Sequence, residues 1–146
     1  MAFDDMLSAT NISASGLAAE RLRMEVLANN IANANSTRTT DGGPFRRQDV
    51  VFAAALNEQL KAGVPGAERL GGVRVLEIVD DPSELGRAYN PGHPDADDEG
   101  YVEMPNVQLP IEMVNLITAS RAYEANLRVL QSFRQMAEQS LSLLRG

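Results

Sequence analysis

Between Ile111 and Arg145 the chain contains neither proline nor glycine, and this uninterrupted run constrains the fold more than any other stretch. At alternating three- and four-residue steps it places Met113, Leu116, Ser120, Tyr123, Leu127, Leu130, Arg134, Ala137, Leu141 and Leu144. Eight of these ten positions are apolar, so the spacing predicts one continuous helix with a coiled-coil-like seam over residues 110–146. Pro110 is tolerated in a first turn, and Glu112 suits the positive end of the helix dipole. Glu124–Arg128 and Arg134–Glu138 stand four apart and are expected to pair on the outer face. A second apolar row, Ile117, Val129, Phe133 and Met136, makes the stripe wider than one partner helix covers.

The N-terminus repeats the design. Phe3, Leu7, Thr10, Ala14, Leu17, Arg21, Met24, Ala28 and Ile31 follow the same steps, and seven of these nine are apolar. Gly16 weakens the helix by about 1 kcal/mol relative to alanine, so a break or a close helix contact is expected there. A helix over 3–32 is roughly 45 Å long and one over 110–144 roughly 52 Å. A compact globule of this chain length has a radius of gyration of about 15 Å. Helices of that length overshoot their own domain, and they bury their stripes only by pairing with each other and with other chains. The alternative is an ordinary bundle of shorter helices broken at Gly16.

Between the helices the period changes. "PFRRQDVVF" and "GGVRVLEIV" are short β-rich runs bounded by "DGG" and "RLGG", with a loop at 61–72 between them. The fold class expected is therefore α+β, mainly α. Residues 1–36 form an N-terminal helix and 37–88 a small β-rich central region. Residues 89–109 form an extended Pro/Asp-rich arm and 110–146 a C-terminal helix, the two helices pairing as an elongated coiled-coil-like hairpin.

Charge and cysteine content exclude several function classes. The net charge of −7 argues against nucleic acid as a partner, since phosphate recognition needs a basic face. Residues 48–109 hold twelve acids against four bases, whereas both ends are close to neutral and can approach other chains without long-range repulsion. With no cysteine, thiolate metal sites and disulfides are absent. No apolar run reaches the roughly 18 residues of a membrane span. The start, "MAFDDMLSATN", lacks the basic and apolar regions of a secretory signal peptide.

Catalytic and metal motifs are weak. His93 is the only histidine, lies between Gly92 and Pro94, and reads as a polar turn residue. "DADDEG" imitates the start of an EF-hand loop, but the twelfth place holds Asn106 after Pro105 instead of a bidentate glutamate. No enzyme activity, metal or cofactor is expected. Pro91, Pro94 and Pro105 keep 89–107 out of a helix, and its aspartates keep it solvated. "LANNIANANS" crowds Asn29, Asn30, Asn33 and Asn35 at the end of the first helix. It reads either as a frayed, solvated end or as a close-packed surface whose amides bond to a neighbouring subunit.

Four stretches, "NNIANANS", "DGGPFRRQDVVF", "YNPGHPDADDEGYVEMPNV" and "EMVNLITASRAYEANLRVL", resemble in order the bacterial flagellar axial proteins, the rod, hook and hook-associated subunits. The likeness extends over essentially the whole chain and is greatest to the proximal rod subunits, although Phe45 stands where that family commonly has tyrosine. It implies a structural subunit of the periplasmic drive shaft, with the terminal helices forming the inner core of a tube. It further implies export through the flagellar type III system without a cleaved signal peptide. Implied partners are other copies of the chain, other proximal and distal rod proteins, the export apparatus and an adaptor on the MS-ring side. The runner-up is a non-polymerising coiled-coil adaptor or secretion chaperone.

Residues expected to carry assembly in the helical core are Leu7, Leu17, Met24, Asn29, Asn30, Ile31, Asn33, Asn35, Met113, Leu116, Ile117, Tyr123, Asn126, Leu127 and Leu130. In the arm they are Tyr89, Pro91, Gly100, Tyr101, Met104, Pro105 and Asn106. Because isolated helices nucleate at a cost, the terminal segments are expected to be largely unfolded in the monomer and to order on assembly.

Overall fold

A computed structural model describes residues 2–56 and 70–145, and the side chains of 8–55 and 71–143 within them. The element order is α1 (Ala2–Ala32), β1 (Gln48–Leu56), β2 (Leu70–Asp80), β3 (Gly86–Tyr89), β4 (Tyr101–Met104) and α2 (Leu109–Arg145). The class is α+β, with long helices at both ends and two small sheets between them. Among the described residues no helix is long and apolar enough to cross a membrane.

α1 runs without a break through Gly16, because a single helical glycine costs less than interrupting the surrounding turns. The close contact expected there is present: a β-carbon added to Gly16 would stand 3.0 Å from Asn126 Nδ2. α2 begins where the Gln108 carbonyl accepts the N–H groups of Ile111 and Glu112, both at 3.0 Å. Pro110, which has no N–H to offer, falls in the first turn, where none is needed.

The packed rows on both helices differ from the expected seams. On α2, beside half-buried Asn115, Ser120 and Ala122, a covered row runs through Glu112, Leu116, Ala119, Tyr123, Asn126, Leu130, Phe133 and Ala137, all buried or half-buried. This row keeps the alternating four- and three-residue steps but replaces Met113, Ser120, Leu127 and Arg134 by the residue before each. Met113 and Leu127 are exposed. Hydrophobicity alone favours Met113 over Glu112, yet a paired carboxylate and small Ala119 fit the closer approach. On α1, beside buried Ser13 and Leu27, the row is Gly16, Ala19, Arg23, Val26 and Asn30; of the expected seam Leu17, Met24 and Ile31 are half-buried and Ala14, Arg21 and Ala28 exposed. Among the described residues Glu124 and Arg128 make no ion pair, whereas Arg134 Nε meets Glu138 Oε1 at 2.8 Å.

β1 starts at Gln48, four residues into the run expected as strand, and pairs with β2 in a two-stranded sheet. The loop placed at 61–72 lies outside the described residues for 61–69, and 70–72 belong to β2. β3 and β4 form an antiparallel pair in which Gly86, Arg87, Ala88 and Tyr89 face Met104, Glu103, Val102 and Tyr101. The stretch 89–109 thus contributes one strand of a hairpin.

The described chain divides into two compact units. The first takes its residues from 1–22, 52–76 and 119–146. Among the described residues its buried side chains are the small ones of Ser13, Ala19 and Ala119. Ser15 Oγ donates to the Ile12 carbonyl at 2.7 Å and accepts the Val73 N–H at 3.0 Å, stitching β2 to α1. The second unit comprises 23–51 and 77–118. Its apolar centre is Val26, Leu27, Ala34, Val50 and Val102, and around it stands a buried polar network.

Candidate assembly site

The network of the second unit begins at the end of α1. Asn30 is fully buried, and one carboxamide serves three partners. Its Nδ2 donates to the Gln48 carbonyl at 2.8 Å and to Glu112 Oε2 at 3.0 Å, while its Oδ1 accepts the Gln48 N–H at 2.9 Å. Asparagine supplies both a donor and an acceptor, as this arrangement needs where β1 starts beside the helix. Glu112 is 1% exposed, and its other oxygen accepts from Arg47 Nε at 2.7 Å.

Arg47 ties three further groups together. Its Nη1 lies 3.3 Å from Asp49 Oδ2 and 3.4 Å from Asp81 Oδ2. Burial acts to lower the Arg47 pKa, but the hydrogen bond and charge of Glu112, followed by Asp49, leave it above its ordinary value. The Asp81 carboxyl is held below its usual range by the Ser83 N–H and hydroxyl, with Arg47 adding to the effect against a desolvation cost. The Arg47 N–H is accepted by Asn106 Oδ1 at 2.7 Å, and Asn106 Nδ2 donates to Ser83 Oγ at 2.8 Å and to the Asp81 carbonyl at 3.2 Å. The network therefore fixes the last turn of α1, the start of β1 and the first turn of α2 with hydrogen bonds and charge pairs.

The carboxamides of Asn30 and Asn106, both expected at subunit contacts, are not free but bonded inside the chain. Nor does "NNIANANS" form a simply frayed end. Asn33 Nδ2 donates to the carbonyl and side chain of Asn29, both at 2.9 Å, and Asn33 Oδ1 accepts from Ser36 Oγ at 3.0 Å. These bonds terminate the helix and turn the chain toward β1. Asn29 and Asn35 remain exposed.

The hairpin is held from both sides. Asp95 accepts from Thr37 Oγ1 at 2.8 Å and pairs with Arg38 Nε at 3.0 Å. Asp97 Oδ1 accepts the N–H groups of Glu99 at 3.0 Å and Tyr101 at 2.8 Å. Two of the carboxylates imitating a calcium loop, Asp95 and Asp97, thus serve protein donors. His93 Nδ1 accepts the Asp95 N–H at 3.1 Å, the turn role read from its flanks. Gly100 has φ of +84°, and a β-carbon there would lie 3.0 Å from Tyr89 Cε2 and 3.1 Å from Pro91 Cβ. Tyr89 and Tyr101 meet edge to face at 5.3 Å and are both exposed, as is Pro91. Val102, Gly100 and Pro105 are buried, and Met104 is half-buried.

The remaining expected residues separate by exposure. Leu17, Met24, Ile31, Leu116, Tyr123, Asn126 and Leu130 are half-buried, while Met113, Ile117 and Leu127 are exposed. The side chain of Leu7 lies outside those described. Beyond the packed row, α2 also exposes Ile111, Val114, Val129, Met136, Leu141 and Leu143. Sequence reading missed Arg47 and Asp81, and it gave Glu112 only a dipole role. The available signal was Arg47 next to "QDVV", a charged residue at the mouth of a strand, where burial demands a partner.

Comparisons with known proteins agree at both ends of the chain. Residues 11–38 match a family model described as flagella basal body rod protein, and residues 98–143 match one described as flagellar basal body rod FlgEFG protein C-terminal. The chain is 46% identical over 150 aligned residues to the flagellar basal-body rod protein FlgC of Borreliella burgdorferi, covering 97% of this chain and 99% of that protein. It is 44% identical to the FlgC of Yersinia enterocolitica and 41% to that of Salmonella typhimurium, each alignment covering 94% of this chain and 97% of the relative.

Proposed function

The chain belongs to the FlgC family of flagellar basal-body rod proteins, and we propose that it assembles into the proximal rod by burying the outer faces of its terminal helices between subunits. It is a structural subunit of the flagellar basal body, from a family of structural proteins.

The observation that carries the assembly reading is the exposed apolar side of α2, where Val114, Ile117, Val129, Met136 and Leu143 lie outside the packed row. Soluble monomers rarely keep such extended apolar surface. Full burial of an exposed side chain of this kind is worth roughly 1.5–3 kcal/mol, and each of these, already partly covered, contributes a fraction of that once a neighbour covers it. Pairing of the two helices is supported within each unit, by the close approach of Gly16 and Asn126 in the first and by the Asn30–Glu112 bond in the second.

In this reading the terminal segments are the core of the tube and the 89–109 arm packs between subunits through Tyr89, Pro91, Tyr101 and Met104. Partners are further copies, the neighbouring proximal and distal rod proteins and, at the cell-proximal end, an MS-ring-side adaptor. The subunit reaches the periplasm through the flagellar export apparatus. The rod then transmits torque from rotor to hook.

A deletion strain tests the reading. It is expected to be non-motile, with basal bodies that end at the inner-membrane ring and carry neither rod nor hook. Normal rods in that strain would refute it.

A further inference from the structure

We propose that the outer face of α2 in the first unit receives the β3–β4 hairpin of a second copy of the chain; the inference rests on the assembly role of the arm proposed above. Val129, Met136 and Leu143 recur every seven residues, so they share one side of the helix, and all three are exposed. Arg121 and Arg128, also seven apart, border that side about 10.5 Å from each other. Both are exposed, and among the described residues neither has a carboxylate within ion-pair reach. Ala119 and Tyr123, which the chain itself covers, lie on the opposite side.

The hairpin presents the complementary surface. Its register puts Arg87, Tyr89, Tyr101 and Glu103 on one face and buried Val102 on the other. The outward face has the two tyrosine rings at its centre, 67% and 39% exposed. Glu103 stands on this face opposite Arg87, and Asp98 and Glu99 are in the loop that joins the strands; all three are exposed and none is in an ion pair among the described residues. Arg87, the one base of the strand pair, is engaged by Asp97 at 3.5 Å and lies 6.0 Å over the Tyr101 ring.

The two surfaces thus match in kind: an apolar centre with arginines at its border against an aromatic centre with carboxylates at its border. Tyrosine rings also accept arginine on their faces. The hairpin loop is already fixed by the two N–H bonds to Asp97, so docking orders little further chain on the hairpin's side. Because the patches differ, the contact is head to tail and leaves one of each kind free at the ends of a growing array.

Charge reversal in two separate copies tests the contact. One copy carries Asp98→Lys and Glu99→Lys, the other Arg121→Glu and Arg128→Glu, each otherwise full length. Each alone is expected to self-associate about tenfold more weakly at low salt and to fail to restore rods to the deletion strain. Co-expressed, the two are expected to restore both, since each altered hairpin then meets an altered helix. Unimpaired single variants, or a mixture that stays defective while a single chain carrying all four changes assembles, would overturn the contact between copies. Neither result touches rod membership, which fails only if the deletion strain builds normal rods.

Discussion

Asn30 and Glu112 are 82 residues apart in sequence and 3.0 Å apart in space, a buried carboxamide donating to a buried carboxylate. The bond joins the end of α1 to the start of α2, and Arg47 closes it from the far side of the carboxylate. Removing one partner of such a set leaves the others desolvated and unsatisfied, which costs more than the bond itself contributes.

Glu112→Gln is therefore expected to destabilise the fold by about 3 kcal/mol, because it leaves the Arg47 guanidinium without its closest counter-charge. Urea unfolding followed by circular dichroism measures this directly. An unchanged midpoint would show that the pair is dispensable.

Asn30→Asp places a second carboxylate against Glu112 and against the Gln48 carbonyl. A loss of at least about 3 kcal/mol at neutral pH is expected, larger than for Asn30→Ala. The difference between the two variants should shrink in acid, as the introduced carboxylate protonates. Equal stabilities at pH 7 would place residue 30 outside the buried network.

Asp81 gives a pH signature. Its folded-state pKa lies below the unfolded value, mainly through the Ser83 N–H bond at 2.8 Å and the Ser83 hydroxyl. The stabilisation is fully present above the unfolded pKa of about 3.9 and is lost as pH falls through the lower folded value. Asp81→Asn should flatten this part of the acid limb between pH 2 and 5 while leaving its slope above pH 6 unchanged. A wild-type acid limb in the variant would contradict the assignment.

Gly100→Ala forces a β-carbon into a left-handed turn against Tyr89 and Pro91. A cost of about 1–2 kcal/mol is expected, together with loss of the edge-to-face tyrosine pair. Near-ultraviolet circular dichroism of the tyrosines reports the second effect. An unaltered signal would show that the loop absorbs the side chain.

Much of this fold is written in the sequence as periodicity. The absence of proline and glycine between Pro110 and Gly146 marks α2 to within a residue, and "RLGG" followed by alternating apolar residues marks β2. The facing of the helices was less legible. A pattern of hydrophobicity selects Met113 and Leu127, whereas the chain covers Glu112, Ala119 and Asn126, because pairing and small size permit burial that apolarity does not announce. Asn30 and Asn106 show the same limit. Their amides stood out by type and place, but only the spatial approach of Gln48 and Arg47 decides that they bond within the chain. The β3–β4 pair was hidden by its brevity and by the prolines and glycines of its loop.

A dilute, purified chain should contain markedly less helix than the 31 and 37 residues of α1 and α2, with the loss confined to the first unit. Hydrogen exchange should therefore protect the Asn30 and Glu112 regions more than residues 119–145. Uniform protection along both helices would contradict this division.

The central claim is that the apolar outer side of α2 is covered only by other subunits, and complementation of the deletion strain by Val129→Glu/Met136→Glu tests it most directly. The variant is expected to unfold at the same urea concentration as the parent chain, yet to yield basal bodies without a rod and non-motile cells. Full rods and normal swimming from the doubly substituted chain would contradict the claim.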